Sequence, residues 1–169
     1  MHRRTILTFS AITALGLALL PSSIVAQQRT LKEQLVGTWT LVSFEVAAAN
    51  GTKAQPYGVN PKGILIFDAN GRYAMMVGGP DRAKVRNPDR PTTEERAAAQ
   101  ASFRANFGTW SVSEADKTLT RRYEGALFQN NEGIEFRSTV SLSGDELKLT
   151  GAASPVTGAR ADAVLRRAR

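Results

Sequence analysis

Apolar and polar positions alternate along much of the chain after residue 37, and this period of two predicts half-buried β-strands. The clearest row lies at 134–142, where every second residue is apolar apart from one serine. We expect this row to face inward, and Glu135 and Arg137 to face solvent. The inward row is Ile134, Phe136, Ser138, Val140 and Leu142.

Turn signals divide the alternating stretches into eight predicted strands. The strongest signal is Asn70-Gly71, which joins two apolar runs and predicts a tight hairpin. The predicted strands cover residues 38–46, 62–68, 72–77, 107–113, 118–126, 134–142, 146–150 and 161–167. Strict alternation in the first strand divides its side chains between two faces: Trp39, Leu41, Ser43 and Glu45 on one, and Val42, Phe44 and Val46 on the other.

Two segments have the spacing of a helical capping box. Thr92 and Glu95 open an alanine-rich segment, which predicts a helix over residues 92–106 between the third and fourth strands. Its thin apolar stripe, which includes Phe103, suits packing against a barrel wall or across a barrel mouth. Residues 30–35 carry the same spacing and predict a short helical turn before the first strand.

Eight strands with one inserted helix predict an all-β fold, an antiparallel up-and-down barrel. Closure removes exposed edge strands, and a barrel of this size can enclose one small ligand. Gly37-Thr38-Trp39 and Gly108-Thr109-Trp110 begin predicted strands on either side of the helix. We expect these tryptophans to close the barrel rather than to form an active centre.

Residues 1–26 have the three parts of a secretory signal. Arg3 and Arg4 are followed by an apolar run at 6–20, and a short stretch ends at Ala26, where we expect cleavage. The alternative is a retained N-terminal anchor. The sequence thus predicts a periplasmic or secreted protein with one barrel domain at 27–169, and the arginine pair leaves the export route, Sec or twin-arginine, open.

The composition excludes several kinds of chemistry. The chain has no cysteine, and its single histidine, His2, lies in the predicted signal. The mature chain therefore lacks the residues for a Ser-His or Cys-His nucleophile, a histidine base or an ordinary zinc site. Glu132, Glu135 and Asp145 do not have the spacing of a calcium loop, so we expect no metal and no other cofactor.

The formal net charge is +7, and removal of Arg3 and Arg4 with the signal leaves +5. Because the basic residues are scattered and no aromatic stacking platform accompanies them, we expect no nucleic-acid partner. The charge favours anionic ligands and weak contact with an anionic membrane surface. The composition leaves the choice between monomer and dimer open.

Five motifs in order resemble the bacterial lipocalin-like domain family across nearly the whole mature chain. They are Leu35-Val36-Gly37-Thr38-Trp39, Asn60-Pro61-Lys62-Gly63, Asp68-Ala69-Asn70-Gly71-Arg72, Phe107-Gly108-Thr109-Trp110 and Glu124-Gly125-Ala126-Leu127-Phe128. The resemblance implies a lipocalin-type barrel and leaves the biochemical role undefined. The chain departs from its relatives at Arg121-Arg122, where they commonly show paired histidines, and this favours holding an anion over moving a proton.

The candidate ligand contacts lie on predicted inward faces and in one loop. Tyr73 and Met75 share a strand face, and Phe136 belongs to the inward row described above. Trp110 is a further candidate, with core packing as the alternative role. Tyr57, in a loop rich in proline and glycine, is the candidate lid residue, and an exposed loop position is the alternative.

The strand at 118–126 has two registers with different chemistry. If the face of Leu119 is inward, Arg121 and Tyr123 become polar groups in the interior, able to fix a carboxylate or hydroxyl. The opposite register would bury Arg122 and Glu124, which would have to compensate each other's charge.

These features predict an exported binding protein that holds a small, largely apolar or amphipathic molecule, with an anionic or hydroxyl end as one option. One alternative is a barrel enzyme that resembles an isomerase or cyclase and uses Glu45, Glu124 or a tyrosine as acid or base. Another is an envelope protein with a solid interior that acts through its outer surface. The size and lining of the cavity distinguish them.

Overall fold

The computed structural model describes residues 29–154 and 157–169. The predicted signal at 1–26 lies outside these residues. The helices are α1 Leu31–Leu35, α2 Thr93–Ala101 and a single 3-10 turn at Gln129–Asn131. The strands are β1 Gly37–Ala47, β2 Lys53–Ala54, β3 Lys62–Phe67, β4 Arg72–Gly78, β5 Phe103–Val112, β6 Thr118–Ala126, β7 Glu135–Ser143, β8 Glu146–Gly151 and β9 Arg160–Arg167.

The eight long strands form a closed antiparallel barrel. Each of them pairs with its neighbours along the chain, and β1 also pairs with β9, which closes the sheet. The two-residue β2 pairs with the end of β1 and adds no strand to the ring. The predicted eight-stranded fold, with a helix between its third and fourth long strands, is confirmed.

One end of the barrel is closed by α1 and two tryptophans. Trp39 is fully buried and its indole Nε1 donates to the carbonyl of Leu35 at 2.8 Å, which ties the first strand to α1. Trp110 is also buried, and its Nε1 donates to the carbonyl of Asp68 at 3.1 Å. The guanidinium of Arg167 lies 4.2 Å from the Trp39 ring centroid and covers it from outside.

The predicted helix at 92–106 is too long, because a strand takes over its last four residues. α2 ends at Ala101, and Phe103 opens β5. The backbone of β5 hydrogen-bonds to β4 on one side and β6 on the other, which outweighs the local preference for helix. Phe103 therefore lies on no helical stripe, and no residue of α2 is buried.

The same change moves Gly108 from a predicted strand start to the middle of β5. A bulge interrupts the pairing of β5 with β6 at this point, and a Cβ atom at Gly108 would overlap the carbonyl oxygen of Arg122. The glycine thus allows a close backbone approach within the barrel wall.

Strict alternation is wrong for β1 because a bulge lies opposite β9 between Leu41 and Ser43. The bulge shifts the inward face by one residue, so that Phe44, buried at 7% exposure, follows Leu41 into the interior. On the outer side, the carboxylate of Glu45 lies 2.8 Å from the ammonium of Lys53.

A main core fills the closed half of the barrel, and a smaller cluster lies towards the open end. The main core is built around Trp39, Phe67 and Trp110 with leucines from five strands or helices, and the smaller one consists of Phe44, Tyr57 and Val77. In the part of the chain that the structure describes, no helix has the length and apolar character needed to cross a membrane.

Candidate functional site

A cavity lies inside the barrel between the main core and the open end. Its walls are mostly aliphatic. Phe44 and Val77 line it towards the open end, and Leu149 and Leu165 line it on the side of the main core. The cavity volume is about 30 Å³. This is room for only a few waters, since one water occupies roughly 10–15 Å³.

Three polar side chains are buried within 29–154 and 157–169. Arg121 and Ser138 line the cavity, and Asn106 lies outside the lining, where it pairs with Tyr73. None of them is an acid. Each has one polar atom without a hydrogen-bond partner, namely Asn106 Nδ2, Arg121 Nε and Ser138 Oγ. Because native interiors leave few such atoms unpaired, their concentration here marks the interior as a candidate binding site.

Arg121 is the central polar group of the site. It is 5% exposed, and its Nη1 donates to the thioether sulfur of Met75 at 3.3 Å. The guanidinium lies 5.3 Å from the ring centroid of Phe136 and 5.7 Å from that of Tyr73. Aromatic rings at these distances attract a cation, but a thioether is a weak acceptor, and no acid of the described chain pairs with Arg121.

Tyr73 and Asn106 form a second polar pair beside Arg121. The hydroxyl of Tyr73 donates to Asn106 Oδ1 at 3.0 Å. Burial disfavours the phenolate and raises the pKa of Tyr73 well above its ordinary value, although the charge of Arg121 acts in the opposite direction. Tyr73 is therefore a neutral hydrogen-bond donor at ordinary pH.

The structure brings four of the seven predicted ligand contacts to the cavity wall: Met75, Arg121, Tyr123 and Phe136. The register of β6 is the one with Leu119, Arg121 and Tyr123 inward, so Arg122 and Glu124 are exposed. Ser138 joins the lining from the inward row of β7. Ile134, expected in that row, precedes β7 and is 48% exposed, because the strand pairing starts one residue later.

The other three predicted contacts lie elsewhere. Tyr73 lies outside the lining and contacts Arg121 from the side of the main core. Trp110 lies at the closed end, 4.7 Å from the ring of Phe67, outside the cavity. Tyr57 is buried at 7% exposure near the open end, with its ring packed edge-on against Phe44 at 5.3 Å.

Sequence reasoning missed Phe44 and Arg104 in the cavity lining, and Asn106 as the partner of Tyr73 beside it. Asn106 and Arg104 fell inside the predicted helix. Strict alternation placed Phe44 on the face opposite Leu41, because it takes no account of the bulge in β1. Arg104 is exposed and lines the cavity, so it lies where the interior meets solvent. A prediction of β5 from residue 103 would have placed both residues on the inward face of a strand.

The two carboxylates that the sequence offered for acid-base chemistry lie outside the cavity. Glu124 pairs with Arg72 at 2.6 Å on the outer surface, and Glu45 pairs with Lys53. Among residues 29–154 and 157–169, no group of three or more acidic side chains could hold a metal ion.

The chain is similar to a known protein family and to solved structures. The profile of a family described as the lipocalin-like domain matches residues 36–169. A solved lipocalin-like protein from Bacteroides uniformis ATCC 8492 is similar, with 16% sequence identity and a TM-score of 0.43 over 79% of this chain and 98% of that chain. No curated protein matches the chain.

Proposed function

Because the chain belongs to the lipocalin-like domain family, we propose that it is an exported protein that binds a small, largely apolar molecule inside its barrel. The observation that carries the proposal is the cavity itself. It combines aliphatic walls with a few convergent polar groups, which is the usual composition of a small-molecule site.

The free space limits the size of the ligand. Pockets for drug-sized molecules span roughly 300–1,000 Å³, far more than the water-sized space left here. Met75 lines the cavity, and its flexible thioether side chain can adopt other rotamers to make room. The ligand is therefore a short or slender molecule, with a polar or anionic end opposite its apolar body.

The position of Tyr57 supports entry of the ligand through the open end of the barrel. Its loop joins β2 to β3, and its ring packs edge-on against Phe44 and so adds to the apolar cover at this end. A side chain in a loop can be displaced at lower cost than a barrel strand. Movement of this ring would open the path to Phe44 and the cavity beyond.

The enzyme alternative is not proposed, because its carboxylates are outside. Glu45 and Glu124 both pair with cations on the outer surface, where no ligand in the cavity could reach them. The third candidate was a tyrosine, and burial raises the pKa of Tyr73, which makes it a poor base.

Native mass spectrometry of the protein purified from its own compartment tests the binding proposal. We expect a fraction of the protein to carry a small adduct that organic extraction releases and identifies. Bare protein, with nothing extracted and no binding of any short apolar compound added afterwards, would contradict the proposal.

Cell fractionation and N-terminal sequencing test the export part. The expected result is a periplasmic or secreted chain that begins at Gln27. A cytoplasmic chain that retains residues 1–26 would contradict it.

A further inference from the structure

Arg121 is a buried cation without a counter-ion from the described part of the chain. It is 95% removed from solvent, and its hydrogen-bond partner is the thioether of Met75 at 3.3 Å. Its Nε makes no hydrogen bond within residues 29–154 and 157–169. The two rings beside it attract the charge but accept no conventional hydrogen bond.

Ser138 supplies a second free donor in the same cavity. The residue is 2% exposed, and its hydroxyl has no partner among the described residues. Ser138 pairs with Leu119 on β6, so it is a diagonal neighbour of Arg121 across the two strands. Diagonal neighbours on one face of a sheet lie close enough for a long side chain and a small ligand group to meet.

Free donors, a positive charge and no buried acid together favour one kind of ligand group. A neutral hydroxyl or amide would not balance the charge of Arg121. A carboxylate does, and its oxygens can accept from both the guanidinium and a hydroxyl. We therefore infer that Arg121 and Ser138 form a carboxylate subsite, and that the ligand is a short amphipathic monocarboxylate.

The cavity walls set the orientation of such a ligand. The carboxylate lies at Arg121, and the apolar body extends towards Phe44 and Val77 near the open end. Arg104, exposed at the edge of the cavity, adds a positive charge that attracts anions towards the interior. The inference rests on the proposed function, since it assigns the chemical class of the ligand to the same cavity.

Calorimetric titration with matched acids and alcohols tests this inference on the mature protein after removal of any bound ligand. The probes are butanoate, hexanoate and octanoate, each compared with the primary alcohol of the same length. We expect the best acid to bind at least about tenfold more tightly than its alcohol. The Arg121→Met variant should lose this preference, and Ser138→Ala should reduce it several-fold with little change in alcohol affinity.

Arg122→Met is the matched control, because Arg122 is the next residue on the same strand and faces solvent. Its preference for acids should equal that of the wild type. If Arg121→Met does not fold, Ser138→Ala provides the decisive comparison.

The outcomes separate the inference from the proposed function. Equal binding of acids and alcohols overturns the carboxylate subsite and leaves the apolar binding site in place. Binding of neither class overturns the proposed function and the inference with it. Binding of acids with no dependence on chain length, matched by chloride or phosphate, also overturns the inference, because it indicates a site for simple anions.

Discussion

Replacement of Arg121 by methionine should stabilise the ligand-free protein. A buried ion costs several kcal/mol of desolvation, even after relaxation. The structure offsets this cost with one weak hydrogen bond to a thioether and two ring contacts at 5.3 and 5.7 Å, each worth about 0.5–2 kcal/mol. A deficit of about 1–3 kcal/mol remains, within the range that apolar replacement of buried charges recovers.

Urea unfolding measures the effect, with the protein first unfolded and refolded to remove any bound ligand. We expect the midpoint of Arg121→Met to rise with an unchanged slope, which indicates a gain in stability rather than a change in the unfolded chain. Arg122→Met, on the exposed face of the same strand, should change the free energy of unfolding by less than about 0.5 kcal/mol. Addition of a tightly bound ligand should reverse the order, because it stabilises only the protein that binds it.

A loss of more than about 1 kcal/mol in Arg121→Met would refute this reasoning. It would mean that the surrounding protein and its water already compensate the guanidinium. The charge would then have a structural role, and the need for an anionic ligand would disappear.

Three further predictions concern the ends of the barrel and the buried tyrosine. Tyr57→Ala should accelerate ligand dissociation several-fold with a smaller change in association rate, as measured by stopped-flow, because the ring covers Phe44 at the open end; an unchanged dissociation rate would exclude a lid. Trp39→Ala should lower the free energy of unfolding by about 3–5 kcal/mol in urea titration, since the fully buried indole also ties α1 to β1; a loss below about 1 kcal/mol would argue against its closing role. Above pH 10 Tyr73 ionises in the unfolded chain but keeps its proton in the folded chain. The stability that this group provides is therefore complete below pH 10. Above pH 10 the free energy of unfolding falls by up to about 1.4 kcal/mol per pH unit. The free energy of unfolding of Tyr73→Phe should fall less steeply with pH than that of the wild type, by this amount. Equal slopes in the variant and the wild type would contradict the raised pKa of Tyr73.

The fold was predictable because its main signals are local. Alternation within single strands locates the strands along the chain, and the Asn70-Gly71 turn identifies a hairpin. The capping box at Thr92 marks the start of the helix. The end of that helix was not predictable in this way. Alanine-rich sequence favours helix through residue 106, and only pairing with two distant strands makes residues 103–106 part of β5.

The candidate site was predictable only in part for the same reason. Alternation placed Arg121, Tyr123 and Phe136 together once the face of Leu119 was taken as inward. The inward position of Phe44 depends on a bulge in β1 opposite β9. No sequence pattern around Phe44 predicts this bulge. The lack of an acid near Arg121 is a property of the assembled interior, so no sequence pattern could reveal it.

A high-resolution crystal structure of the protein purified from its native compartment tests the central claim most directly. The account predicts electron density for a small molecule inside the barrel, with an oxygen within hydrogen-bonding distance of Arg121 Nε and Ser138 Oγ and an apolar body directed towards Phe44. An interior filled by side chains, with both donors paired to protein groups or to water after soaking with octanoate, would contradict it.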